Sequence, residues 1–154
     1  MAFLKCILYL AFTGILSFLL GRLLPASWFR EDSIFFRCFD WERGGAVYKA
    51  FSIRMWQNRV PDMSRLFPRL MQEKKISRNF REDLPIMIKE TCIAEFIHML
   101  LCVAGLGCLG IWPGFGGFCV SFLYILGNIP FIMIQRYNRP RLMGLQEKLS
   151  CRAL

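Results

Sequence analysis

CIAEFIHMLLCVAGLGCLGIWPGFGGFCVSFLYILGNIPFIMI, Cys92 to Ile134, decides the fold. It is two apolar runs, about Cys92–Trp112 and Phe115–Ile134, joined by the uncharged link Pro113-Gly114. Each run has close to the ~20 residues that a helix needs to cross ~30 Å of hydrocarbon. Helices are the open-ended solution there, because lipid cannot satisfy backbone N–H and C=O groups. Outward from this pair, Ala2 to about Leu24 is a third run of spanning length, interrupted by Lys5. A cleaved signal peptide is the competing reading of that run. It is long for the role, and Leu24-Pro25-Ala26 makes a poor cleavage site, so a retained helix is expected. At 154 residues and 55% hydrophobic, the chain reads as one all-α integral membrane domain. Three transmembrane helices (1–24, 91–112, 115–134) are expected, with a segment carrying short interfacial amphipathic helices (25–90) and a basic tail (135–154).

Charge supplies the orientation. Arg22 to Glu90 holds 14 Lys+Arg against 9 Asp+Glu, a net of +5. Gln135 to Leu154 holds 5 Lys+Arg against one Glu, a net of +4. The positive-inside rule puts the N-terminus outside, with the middle segment and C-terminus on the cytoplasmic side of a multi-pass cell-membrane protein. Basic residues beside a membrane contact anionic lipid, which suffices for the overall charge, and no nucleic-acid signature is present. The seven cysteines form no CxxC pair, and His98 is the only histidine. The cysteines are therefore expected to be small apolar residues, and no metal site is expected.

Residues 25–90 are too polar to span and too apolar for a linker. Trp28, Phe29, Phe35, Phe36, Phe39 and Trp41 alternate with charges, which suits the headgroup layer. Gly44-Gly45 marks a break. Val47, Phe51 and Met55 recur at helical spacing, as do Met63, Leu66, Phe67 and Leu70. Two short interfacial helices follow, separated by Pro61, the second weakened by Pro68. Farther on, Asp83 is the expected N-cap and Pro85 the first turn of a helix that runs unbroken into the second span.

Inside that span Thr91, Glu95, His98 and Cys102 fall within about 60° of one another on a helix. Ionisable residues within a span are costly, so they are candidates for function before they are candidates for helix glue. A tight turn at Trp112–Phe115 makes the second and third helices antiparallel neighbours. Residues whose numbers sum to about 227 then pair, which sets His98 level with Asn128 and Glu90 level with Tyr137. One small pocket is expected, holding His98, Glu95, Asn128 and the cluster Arg136, Arg139 and Arg141. This set suits acyl transfer. His98 is the candidate base, with Glu95 fixing its tautomer. Asn128 is a candidate oxyanion donor, and the arginines suit an anionic group. A Glu-x-x-His metal site is the rival, but it needs a second His and more carboxylates.

The runs ETCIAEFIHML and IPFIMIQRYNRPRL, with FDWERGGAVYKAFSIRMWQNRVPD, resemble the glycosyl-4,4'-diaponeurosporenoate acyltransferase family. The resemblance covers roughly Pro25 to Leu142, and the first helix is similar only in hydrophobicity. It implies a small integral membrane protein that esterifies a sugar hydroxyl of a membrane glycolipid, a carotenoid glycoside or another, with a fatty acyl chain. The matching positions are Glu42, Arg54, Trp56, Glu90, Glu95, His98, Asn128, Arg136, Tyr137, Asn138, Arg139 and Arg141. Beside the catalytic pair His98 and Glu95, the others are the expected substrate-binding residues. Gln57 and Met99 depart from the family's pattern of Lys and an aromatic, which bears on the acceptor more than on the chemistry. The expected partners are membrane lipids, a glycolipid acceptor and an acyl donor. That donor is acyl-CoA, acyl carrier protein or a phospholipid, with no cofactor. A homo-oligomer is compatible with the sequence but not specified by it. The alternative is a non-catalytic membrane module that binds anionic lipid or a partner enzyme. It uses the Arg cluster but not Glu95 or His98. A transporter ranks last, since three spans are few for one.

Overall fold

The computed structural model describes residues 1–57 and 80–151. Among these residues all regular elements are helical, and three helices are long and apolar enough to cross a membrane. The second interfacial helix expected around Met63–Leu70 lies outside the described residues.

The first span is α1 (Ala2–Leu23). Its outer surface is largely apolar, and Phe3, Leu4, Leu8, Phe12 and Leu16 point outward, as lipid-facing side chains do. Its inner stripe runs through Cys6, Tyr9, Thr13 and Ser17, at helical spacing. The helix stops at Leu24, which is extended (ψ 127°) ahead of Pro25, a residue that disfavours the helical conformation before it.

A polar cap follows. It is built from 3₁₀ turns at Ala26–Trp28, Asp40–Glu42 and Ala46–Phe51 and from the single turn α2 (Ile53–Trp56). Arg43, Gly44 and Gly45 take three consecutive left-handed conformations (φ 49°, 64° and 85°), so the expected break is a sharp reversal. A Cβ on Gly45 would also lie 3.2 Å from the Tyr137 carbonyl, so the glycine allows a close approach to the last helix. The stripe Val47-Phe51-Met55 is not one helix. Ser52 at φ 51° divides it, and Phe51 and Met55 are exposed.

The core is an antiparallel pair, α3 (Phe80–Gly105) and α5 (Phe115–Cys151). The short α4 (Cys108–Ile111) lies at their turn. On α3 the buried residues Leu84, Ile88, Thr91, Cys92 and Glu95 follow one helical face. The register agrees with the sequence reading. Ser121 Oγ donates to the Gly105 carbonyl (2.9 Å), His98 meets Asn128 (2.9 Å), and Arg81 Nη2 donates to the Leu149 carbonyl (2.9 Å).

Three boundaries differ from expectation. Helix α3 already includes Phe80, so Asp83 and Pro85 lie inside it instead of opening it. The second span is not continuous to Trp112. It tightens into turns at Leu106 and Gly107 before α4, because Gly105, Gly107 and Gly110 weaken the helix. At Gly107 a Cβ would clash with the Tyr9 hydroxyl, so the break is also where α1 packs in. Finally, the basic tail is not separate. α5 carries Pro130 and Pro140 within it and runs for 37 residues. At ~1.5 Å per residue that is about 55 Å, well beyond ~30 Å of hydrocarbon. Pairing with the equally extended start of α3 sustains the extra length.

The cap docks on the open end of the α3–α5 pair through two apolar clusters. Phe29 and Phe36 pack with Cys92, while Tyr48 and Ile53 pack with Tyr137. Burying such side chains contributes roughly 1.5–3 kcal/mol each before the loss of chain entropy is counted.

Candidate functional site

The polar residues of the helix pair gather in two places, not one. The outer place is an ion network at the junction of cap and hairpin. Glu42 comes from the cap, Glu95 and Thr91 from α3, and Arg136 and Arg139 from α5. Arg136 donates through Nε and Nη2 to the two Glu42 oxygens (2.6 and 3.0 Å) and through Nη1 to Glu95 Oε1 (2.6 Å). Arg139 donates to Glu95 Oε2 through Nη2, to Thr91 Oγ1 through Nε (2.9 Å) and to the Phe36 carbonyl through Nη1 (2.6 Å). Tyr48 donates its hydroxyl to Glu42. The Arg136 guanidinium lies over the Phe39 ring (4.9 Å) and that of Arg139 over Phe36 (5.4 Å). The two carboxylates and two guanidiniums balance in charge, and the Glu95 side chain is fully buried.

Burial pushes the Glu42 carboxyl up, but hydrogen bonds from Arg136, Tyr48 and the Phe39 N–H together outweigh it and hold the carboxyl below its usual range. Burial, and then the bond to Glu42, raises Tyr48, so this hydroxyl remains a donor wherever the carboxylate is ionised.

The inner place lies one to two turns deeper. Asn128 Nδ2 donates to the Tyr124 carbonyl (2.9 Å), which turns Oδ1 toward His98. His98 Nδ1 lies 2.9 Å from that oxygen. An amide oxygen only accepts, so Nδ1 carries the hydrogen, and in the neutral imidazole Nε2 carries the lone pair. The ring stacks on Phe131 (4.4 Å, 12° between planes). Among the described residues Nε2 has no hydrogen-bond partner.

These geometries revise the single-pocket expectation. Glu95 does not orient His98. Both of its oxygens face guanidiniums, and Asn128 takes the orienting position. Asn128 is thereby committed to the imidazole and to Tyr124, not poised as an oxyanion donor. Arg136 and Arg139 are consumed internally. Arg141 is the exposed member of the cluster, bonded to Asn138 (3.4 Å) and stacked over Tyr137 (4.7 Å). A small cavity of about 10 Å³, room for about one water, is lined by Phe36, Cys38, Glu42, Arg136, Arg139, Pro140 and Met143. It does not include His98 or Asn128.

The remaining candidates sit around the network. Tyr137 is buried in the cluster with Tyr48 and Ile53. Asn138 Nδ2 reaches Gln57 (3.5 Å). Trp56 Nε1 donates to the Phe51 carbonyl (2.8 Å). Arg54 is exposed and Glu90 half-buried. Sequence reasoning missed Tyr48, Tyr124 and Phe131. Tyr124 precedes Asn128 by one turn, a spacing that was available to be read. No group of His, Cys, Asp and Glu among the described residues has the arrangement of a metal site.

A sequence model of the glycosyl-4,4'-diaponeurosporenoate acyltransferase family matches residues 25–148. Proteins of that name from Staphylococcus aureus strains USA300 and NCTC 8325 / PS 47 are each 30% identical over 134 residues, 86% of this chain and 81% of theirs. The one from strain Newman is 30% identical over 127 residues, 82% of this chain and 76% of its own. No solved structure matches.

Proposed function

The chain belongs to the glycosyl-4,4'-diaponeurosporenoate acyltransferase family, and from that premise we propose that it moves a fatty acyl group onto a sugar hydroxyl of a membrane glycolipid. The observation that carries the chemistry is the His98–Asn128 pair, which fixes the tautomer and leaves the Nε2 lone pair without a partner among the described residues. Nε2 takes the proton of the acceptor hydroxyl as its oxygen attacks the acyl carbonyl carbon. The tetrahedral adduct collapses and expels the donor's leaving group, which takes the proton back from the imidazolium. The products are the sugar ester and the protonated leaving group. Asn128 orients the ring, as the carboxylate does in a catalytic triad, though without its charge.

Glu95, Glu42, Arg136 and Arg139 act as scaffold in this reading. They tie cap, α3 and α5 together and hold the end of the hairpin against which the donor lies. Arg141, and not the whole cluster, meets an anionic donor such as acyl-CoA, acyl carrier protein or a phospholipid. The positive-inside rule places the cap and this donor site on the cytoplasmic face of the cell membrane, with the N-terminus outside. A purely lipid-binding module has less support here, since Arg136 spends all five of its N–H groups inside the protein and Arg139 spends four of its five.

Lipid mass spectrometry on host cells tests the function, comparing wild type with His98→Ala at matched abundance. An acylated glycolipid seen only with wild type supports the reading. The same product at the same level with His98→Ala would remove His98 as the base.

A further inference from the structure

Helix α1 lies outside residues 25–148, the span matched by the family model, yet it carries polar groups at the depth of His98. The Tyr124 side chain lies close to Thr13 of α1, so this face of α5 looks onto α1. Phe131 follows Tyr124 by seven residues, two turns, and therefore shares that face. The His98 ring stacked on Phe131 is thus on the α1 side of the hairpin.

The contacts of α1 set its register. The Cys6 thiol reaches the Cys108 carbonyl, the Tyr9 hydroxyl donates to the Ala104 carbonyl (2.9 Å), and Gly21 lies against Ile97 and Ile93. Between these fixed points Ser17 falls level with His98. It is one turn from Thr13, just as Asn128 is one turn from Tyr124.

Ser17 is 5% exposed. A hydroxyl in a span ordinarily bonds back to a carbonyl of the preceding turn. Thr13 does so, to Leu10 (3.0 Å), whereas among the described residues Ser17 Oγ has no hydrogen-bond partner. Two groups with unused hydrogen-bonding capacity therefore occupy one level of the bundle, Ser17 Oγ on α1 and His98 Nε2 on α3.

We propose that Ser17 is an acceptor-binding residue, whose hydroxyl hydrogen-bonds the sugar of the acceptor and holds its reacting hydroxyl against His98 Nε2. This rests on the acyltransferase reading above. It makes α1 a wall of the site and not only an anchor, and it requires the sugar of the acceptor to enter between α1 and the hairpin.

Kinetics on the purified full chain in lipid nanodiscs tests it, with a synthetic alkyl glucoside as acceptor and palmitoyl-CoA as donor. Ser17→Ala is expected to raise the acceptor KM about three- to tenfold, the scale of one hydrogen bond. Donor KM and thermal stability are expected to stay unchanged, and Ser17→Thr to recover most of the loss. An unmoved acceptor KM in Ser17→Ala overturns the proposal, as does a Thr variant no better than the Ala variant. So does an equal rise in both KM values. If wild type transfers no acyl group from this donor or from a phospholipid donor, the acyltransferase reading itself fails and takes this proposal with it.

Discussion

The two polar centres of the α3–α5 pair stand on the same helices and differ in what they leave unused. In the outer network every carboxylate oxygen of Glu42 and Glu95 meets a donor, and Arg136 and Arg139 direct their N–H groups to these oxygens, to Thr91 and to cap carbonyls. In the inner pair only one imidazole nitrogen is engaged among the described residues. A saturated ionic cluster specifies how elements meet, while an unpaired lone pair in an apolar span is a reactive group. Density of charge is therefore a poor guide to where the chemistry is. The richest cluster in the sequence, the arginines after Ile134, is mainly architecture.

Breaking the outer centre is expected to have the largest effect. Arg139→Ala leaves the fully buried Glu95 with one of its two cations, and the destabilisation should be about 3–5 kcal/mol. Thermal unfolding in detergent measures it. Breaking the inner centre should move activity instead. His98→Ala is expected to lower kcat/KM by about 10²–10⁴-fold, the scale of a general base, with the melting temperature held. Asn128→Ala should cost about 10–100-fold, the scale for partners that orient a functional histidine. If Asn128→Ala and His98→Ala fall equally, the two act as a unit.

Acid sharpens the contrast further. The Glu42 carboxyl lies below its unfolded value, so its stabilisation is full above the ordinary carboxylate range and is lost as pH falls through the depressed value. Cap release on acidification, followed by Trp41 fluorescence, should begin below that range and be absent in Glu42→Gln, which is already weakened at neutral pH. The smallest effect is expected from Arg141→Ala. It should change stability by less than about 0.5 kcal/mol, as exposed substitutions do. Its influence should show as a raised donor KM.

The hairpin and its register were legible because the link Pro113-Gly114 is short and a helix has a fixed rise, so counting from the turn brought His98 to Asn128. The outer network was not legible. Glu42 reaches Arg136 across 94 positions of sequence, and it arrives there through left-handed residues at 43–45 and 52 whose path no periodicity encodes. Glu95 was rightly seen as exceptional but matched to its helical neighbour His98, since i,i+3 spacing is visible in sequence and a partner on another helix is not. The end of α5 was misplaced because the apolar run stops at Ile134 and the polar, basic residues after it read as a tail. Pairing with α3 overrides that signal.

The most direct test measures melting temperature and acyl transfer together in two variants, His98→Ala and Glu95→Gln. The account predicts that His98→Ala melts with wild type and transfers almost nothing. It predicts that Glu95→Gln melts lower, while its folded fraction keeps wild-type turnover. A Glu95→Gln variant that melts with wild type but has lost acyl transfer would contradict it, returning the carboxylate to the chemistry and the outer network to the active site.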